Sequence, residues 1–144
     1  MADLIYDQDD ELILWAEDIM PGARFREDAR AIGTARDGEI LAACIFDTFS
    51  TTSCFVHIVS DGNKRWLKKE FLVHCMAYPF HQCGFRRINA IISASNEASL
   101  RFAEGFGWVR EGLLREAGEE GEDVILFGML REECRWLPPG ALVI

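Results

Sequence analysis

Residues 60–66, Ser-Asp-Gly-Asn-Lys-Arg-Trp, place small residues, a glycine and two cations just ahead of a long apolar-periodic segment. A helix starting there presents unpaired N–H groups and a partial positive charge, chemistry suited to a phosphate. Residues 61–70 carry four basic and two acidic side chains, net +2, in a chain whose net charge is −9. A basic spot of this kind can hold a phosphorylated ligand while the remaining surface repels nucleic acid. The same charges also read as a solvated face. The second chemistry-bearing stretch is residues 96–115, with Asn96, Ser99, Glu111 and Arg115 arranged around a Gly-Phe-Gly-Trp stop. Asn96 can cap a helix by accepting a hydrogen bond from an amide one turn in. Gly105 and Gly107 would end that helix, because glycine takes the left-handed conformation at little cost.

Other chemistries find less support. The five cysteines (Cys44, Cys54, Cys75, Cys83 and Cys134) are odd in number and scattered, with no Cys-x-x-Cys, so neither a disulfide framework nor a zinc site is suggested. They read as small buried hydrophobes. Glu119, Glu120, Glu122 and Asp123 form an acidic turn rather than a ligand set, and no metal site is expected. Histidines 57, 74 and 81 stand apart, and His57, among Phe55, Val56 and Ile58, reads as a packed, satisfied strand residue ahead of a base. Nucleophilic catalysis by cysteine lacks a histidine at diagnostic spacing.

The elements that must position these residues follow from periodicity. With 144 residues, 49% hydrophobic, the chain is expected to form one domain with a sizeable core. No run of about 18 uncharged apolar residues occurs, so no membrane span is expected. The acidic N-terminus lacks the basic start of a secretion signal, which makes the cytoplasm the default compartment. Residues 9–20 read as a helix with acids in its first turn, stopped by Pro21-Gly22. Residues 29–36, 40–49 and 54–59 read as an antiparallel meander, turning first at Asp37-Gly38. The stretch 40–49 is nearly all apolar at its start, as a strand covered on both faces would be. Residues 65–82 read as the longest helix, with Pro79 near its end. Strand 87–93, helix 96–107, strand 108–116 and strand 124–130 complete the order, followed by a short tail with Trp136 and Pro138-Pro139. The expectation is therefore α+β (mixed α/β), with a central mixed sheet of about six strands flanked by helices. A right-handed crossover makes strands 54–59 and 87–93 parallel neighbours.

Residues 96–115 resemble the C-terminal motif of the GNAT acetyltransferases. There Asn-x-x-Ser or Asn-x-x-Ala opens a helix that ends in Leu-Gly-Phe and runs on to Glu-Gly-x-x-Arg. Asn96, Ser99, Gly107, Glu111, Gly112 and Arg115 fall on those positions, with Phe106 and Trp108 flanking the glycine. The order of elements is also that of the GNAT fold. The resemblance implies acetyl-CoA as co-substrate and an amine, either a protein N-terminus or a small molecule, as acceptor. It implies that two neighbouring strands splay and that the pantetheine arm pairs with the first of them as an added strand. Cofactor contacts would then fall on His57, Ile58, Val59, Gly62, Asn63, Lys64, Arg65, Trp66, Asn96, Ser99 and Phe102. Asp47 and Arg115 would line the acceptor groove, and Ser99 and Glu111 would be catalytic. Ser99 matches the hydroxyl of the branch resembling ribosomal-protein alanine N-acetyltransferases, where it would hydrogen-bond the departing sulfur. An ammonium acceptor needs a base, and Asp47, His57 and Glu111 are the candidates. The ending Phe-Gly-Met-Leu-Arg-Glu-Glu-Cys-Arg-Trp-Leu also looks like small acetyltransferases carried by bacteriophages and prophages.

Two departures from the family pattern stand out. The phosphate loop keeps only Gly62 of the family's small residues, with Lys64 and Arg65 in place of the others. The tyrosine that many members use to protonate the thiolate is Ala103 here. A GNAT-fold CoA-binding or interaction module without catalysis is the alternative, and an unrelated α+β interaction domain is a second rival. The rival domain predicts that strands 54–59 and 87–93 stay paired to their ends. A homodimer through the last strand or the Trp136 tail is also an expectation.

Overall fold

A computed structural model of the chain describes residues 3–20, 22–62 and 64–137. Its elements are β1 (Asp3–Ile5), α1 (Asp9–Ile19), β2 (Arg30–Arg36), β3 (Glu39–Asp47), β4 (Phe55–Ser60), a 3-10 turn (Lys64–Trp66), α2 (Lys69–Ala77), a π-helical turn (Tyr78–Gln82), β5 (Arg87–Ser93), α3 (Glu97–Phe106), β6 (Val109–Leu114), β7 (Val124–Leu130) and a final 3-10 turn (Arg131–Glu133). The strands form one mixed sheet in the order β1-β2-β3-β4-β5-β7-β6. All its pairs are antiparallel except β4 with β5. The fold is thus the α+β arrangement expected from the sequence.

The meander forms where its turn chemistry dictates. Asp37 and Gly38, both at positive φ (53° and 80°), make the two-residue turn between β2 and β3, the twist that suits a hairpin. β3 is buried from Leu41 to Phe46 because helices cover both of its faces. Ala43 and Ile45 pack with Leu12 and Ala16 of α1. Leu41, Ala42, Cys44 and Phe46 face the larger core, built with Phe71, Leu72, Cys75 and Met76 of α2 and Leu100, Ala103 and Phe106 of α3.

Two expectations are corrected. The sheet has a seventh strand, β1, whose three residues pair with β2 from Asp3↔Ala35 to Ile5↔Gly33 and are too few to show a period in sequence. The helix expected over 65–82 is broken into three pieces. Its start tightens to a 3-10 turn that buries Trp66, and its end relaxes to a π turn at Pro79, where Cys83 N donates to Tyr78 O over 3.0 Å. Proline supplies no N–H and clashes with the preceding turn, so the ladder shifts register there rather than continuing. The last strand is interior, lying between β5 and β6, and Trp136 stacks on Phe106 at 4.8 Å while its Nε1 donates to Phe106 O. The sheet edge on that side is β6. Pro138 and Pro139 lie outside the described residues.

Candidate active site

The sheet forks. β4 and β5 run parallel but pair at one position, Phe55↔Asn89, whereas β4 pairs with β3 from Asp47↔Phe55 to Ala42↔Ser60. β5 pairs with β7 along its whole length, from Arg87↔Leu130 to Ser93↔Val124. Residues 56–60 therefore have no strand neighbour on the β5 side, and the gap opens toward the C-terminal ends of both strands.

Side chains at the root of the fork hold it together. Asn89 N donates to Cys54 O at 2.9 Å. Asn89 Nδ2 donates to Cys54 O at 3.0 Å and to Ser53 Oγ at 3.1 Å, while its Oδ1 accepts from Arg87 Nε at 2.9 Å. Arg87 Nη2 in turn donates to Glu111 Oε1 at 2.7 Å. That ion pair crosses β7 directly over Gly128, where any Cβ would fall on both side chains. Asn89 and Arg87 were not among the residues singled out in the sequence. The signal that could have found them is a polar amide within an apolar, alternating central strand.

Beyond the open end of β4 lies the segment proposed to meet phosphate. Gly62 takes φ of 90° with open space around it, and its N–H donates to Ser60 Oγ at 3.2 Å. Asn63 lies outside the described residues. Lys64 is exposed, Arg65 is ion-paired to Asp61 at 3.5 Å, and Trp66 is buried. α2 itself begins four residues later than expected, at Lys69. Lys68 makes no side-chain cap, and the first helical bond runs from Leu72 N to Lys68 O. The amides of Lys69, Glu70 and Phe71, in the first turn of that helix, have no acceptor within the helix.

Beyond the open end of β5, α3 starts as the sequence predicts. Asn96 Oδ1 accepts from Ser99 N at 3.2 Å. Gly107, at φ of 119°, is the left-handed stop, while Gly105 lies inside the helix. Ser99 sits in the first turn, partly exposed. Phe102 of α3 meets Trp66 with ring centroids 5.7 Å apart, so the segments that follow the two arms of the fork touch each other.

On the opposite face, which carries α1, the structure brings together Asp47 and His57. The register Ile45↔His57 and Asp47↔Phe55 puts both on one side of the sheet. His57 Nε2 lies 2.9 Å from Asp47 Oδ1, with the side chains 25% and 6% exposed. Burial raises the Asp47 pKa, but hydrogen bonds from His57, the Arg26 amide and the Thr48 hydroxyl outweigh it and hold the carboxyl below its ordinary value. The connection from α1 to β2 passes over this pair. Phe25 packs edge-on against the His57 ring at 5.3 Å, and Arg26 N donates to Asp47 Oδ2 at 3.4 Å. Further along, Gly22 lies against the Glu119 carboxylate of the acidic β6–β7 turn. Ile58 and Val59 continue β4 into the open part of the fork, Ile58 half-buried and Val59 buried.

Glu111 and Arg115 lie apart from that pair. Glu111 is on β6, two strands beyond β5, and is ion-paired to Arg87. Arg115 is exposed in the turn after β6. Among the described residues, no group of three or more His, Cys, Asp or Glu is arranged to hold a metal ion, and no helix is long and apolar enough to cross a membrane.

Comparison with known proteins agrees with the forked sheet. Residues 25–125 match the acetyltransferase (GNAT) domain family, and the chain belongs to it. Among solved structures, mutant forms of the spermidine/spermine N-acetyltransferase SpeG from Vibrio cholerae superpose with a TM-score of 0.74 at 12% identity, covering 92% of this chain and 96% of that one. The ribosomal-protein alanine N-acetyltransferase from Escherichia coli gives 0.70 at 16% identity, covering 100% of both chains. Ard1 from Thermoplasma volcanium gives 0.70 at 9% identity, covering 90% of this chain and 97% of that one. At such identities the likeness is one of fold. A search of curated proteins finds no match for the sequence.

Proposed function

We propose that the protein is an acetyl-CoA-dependent N-acetyltransferase that acts in the cytosol on an amine acceptor by direct transfer. The observation that carries this reading is the fork: β4 and β5 part after one paired position and leave one side of residues 56–60 for an extended pantetheine arm. Acetyl-CoA supplies the acyl thioester. His57, Ile58 and Val59 would run beside its arm. Gly62, Asn63, Lys64, Arg65 and the amides at the start of α2 would face its phosphates, the two cations standing in for the family's missing small residues. Trp66, Phe102, Asn96 and Ser99 would border it from the side of α3.

Ser99, at the N-terminal turn of α3, is suited to donate a hydrogen bond to the departing sulfur, as in the ribosomal-protein alanine acetyltransferase-like branch. The acceptor would enter from the α1 face. The turn at 116–123 carries five acids and no base, a field that favours a cationic amine such as a polyamine or a peptide N-terminus. Arg115, at the edge of that turn, would meet the part of the acceptor that carries a carbonyl or carboxylate. A homodimer would form on the exposed β6 edge, and light scattering would read it.

The test is calorimetry with CoA, followed by acetylation assays with acetyl-CoA against spermidine and an alanine-terminated peptide. Micromolar CoA binding and transfer to either amine support the reading. No heat at millimolar CoA removes the donor and leaves an interaction module. Ser99→Ala should lower kcat with little change in CoA affinity, and unchanged kcat removes Ser99 from the site.

A further inference from the structure

Resting on the acetyl-transfer reading above, the geometry points to His57, held by Asp47, as the base that takes the proton from the acceptor amine.

Three candidates were readable in sequence, and the structure separates them. Glu111 is bound to Arg87 and stands on β6, with β7 between it and β5. Asp47 is buried, at 4% exposure, under hydrogen bonds from His57, Thr48 and the Arg26 amide, so its oxygens are already engaged. His57 alone combines partial exposure with a place at the fork. It lies on β4 two residues past Phe55, the last residue of β4 that pairs with β5, and on the same face. On the other arm, Ile91 lies two residues past Asn89 on that face and is 44% exposed. An amine descending from the α1 face into the fork passes between these two side chains.

The hydrogen bond also sets the tautomer. Asp47 is ionised at neutral pH, so it accepts, and Nε2 carries the proton. Nδ1 is then the nitrogen with the lone pair. Asp47 of β3 is the charged partner of the ring, and the Arg26 amide of the α1–β2 connection donates to that same carboxylate at 3.4 Å. Glu17 of α1 reaches that connection by accepting from Phe25 N at 3.3 Å. Phe25 packs against the ring with centroids 5.3 Å apart.

The proton count closes without another reagent. The acceptor arrives as an ammonium with three N–H protons. One passes to His57 Nδ1, and the freed lone pair forms the C–N bond to the thioester carbonyl carbon as the C–S bond breaks. A second ends on the CoA sulfur, the third stays on the amide nitrogen, and the imidazolium returns its proton to solvent.

The experiment compares wild type, His57→Gln, Asp47→Asn and Glu111→Gln, with acetyl-CoA and either spermidine or an alanine-terminated peptide as acceptor. His57→Gln should lower kcat/KM on the order of 100-fold or more and leave CoA affinity within about twofold, because the arm would pair with the main chain of β4 rather than with the imidazole. Asp47→Asn should lower kcat about tenfold with little change in KM for either substrate, because the imidazole loses the carboxylate that holds it. CoA binding and the unfolding temperature report whether each variant is folded, and Asp47→Asn serves if His57→Gln is not. Wild-type transfer with His57→Gln at full rate, or Glu111→Gln more damaging than His57→Gln, overturns the base assignment and leaves the transferase intact. A wild-type protein that transfers to neither amine overturns the transferase reading and the base with it.

Discussion

Replacing Asn89 by alanine tests whether the fork is held at its root by side chains or by backbone alone. The substitution removes three hydrogen bonds: two donated by Nδ2 to Cys54 O and Ser53 Oγ, and one accepted from Arg87 Nε. It leaves no buried group stranded, because Cys54 O keeps the bond from Asn89 N and Arg87 keeps Glu111. The loss is then the net value of the bonds, about 0.5–1 kcal/mol each, or about 1.5–3 kcal/mol together. For a chain of this size that corresponds to a fall in Tm of about 5–10 °C. Amide exchange at Asn89 should accelerate, and CoA affinity should fall, because the arms of the fork would no longer be held at a fixed angle. Asn89→Asp is the companion. It keeps an acceptor for Arg87 but sets an oxygen against Cys54 O, so it should be at least as destabilising despite its unchanged volume. The assays are thermal unfolding and calorimetry with CoA. A Tm within about 1 °C of wild type for Asn89→Ala would refute the idea that these side chains pin the root.

Gly128→Ala should displace the Arg87–Glu111 pair lying over it and cost about 1 kcal/mol, the ceiling for a partly exposed ion pair, read as a shift in urea midpoint. Gly107→Ala should cost about 1–2 kcal/mol in the same assay. The space around Gly107 accepts a methyl, so the penalty is the left-handed backbone alone. Asp47 should contribute to acid sensitivity: its folded pKa lies below the ordinary 3.8, so its contribution is present above that value and lost as pH falls through the folded one. The drop in urea midpoint between pH 7 and pH 3 should accordingly be smaller in Asp47→Asn than in wild type.

Elements whose cause is local were legible in the chain itself. The Asp37-Gly38 turn, the Asn96 cap, the Gly107 stop and strands β5 and β7 depend on residues within a few positions of one another, and periodicity with turn chemistry is enough to place them. Local cause also explains the failures. The three residues of β1 carry no period, and the break-up of the helix around Trp66 and Pro79 reflects where a buried indole and a missing N–H must go once α2 lies against the sheet.

The site divides the same way. Sequence alone determined which residue types exist to do chemistry: a capped serine at a helix start, two cations after a glycine turn, and three possible bases. It also determined that β4 and β5 would be parallel neighbours, through the handedness of the crossover. Only the tertiary structure decided that these strands part after Phe55↔Asn89, that Asp47 meets His57 across ten positions of chain, and that Glu111 meets Arg87 across twenty-four. Such pairings follow from sheet register and strand order, which depend on many distant residues packing at once, and no short window of sequence contains them.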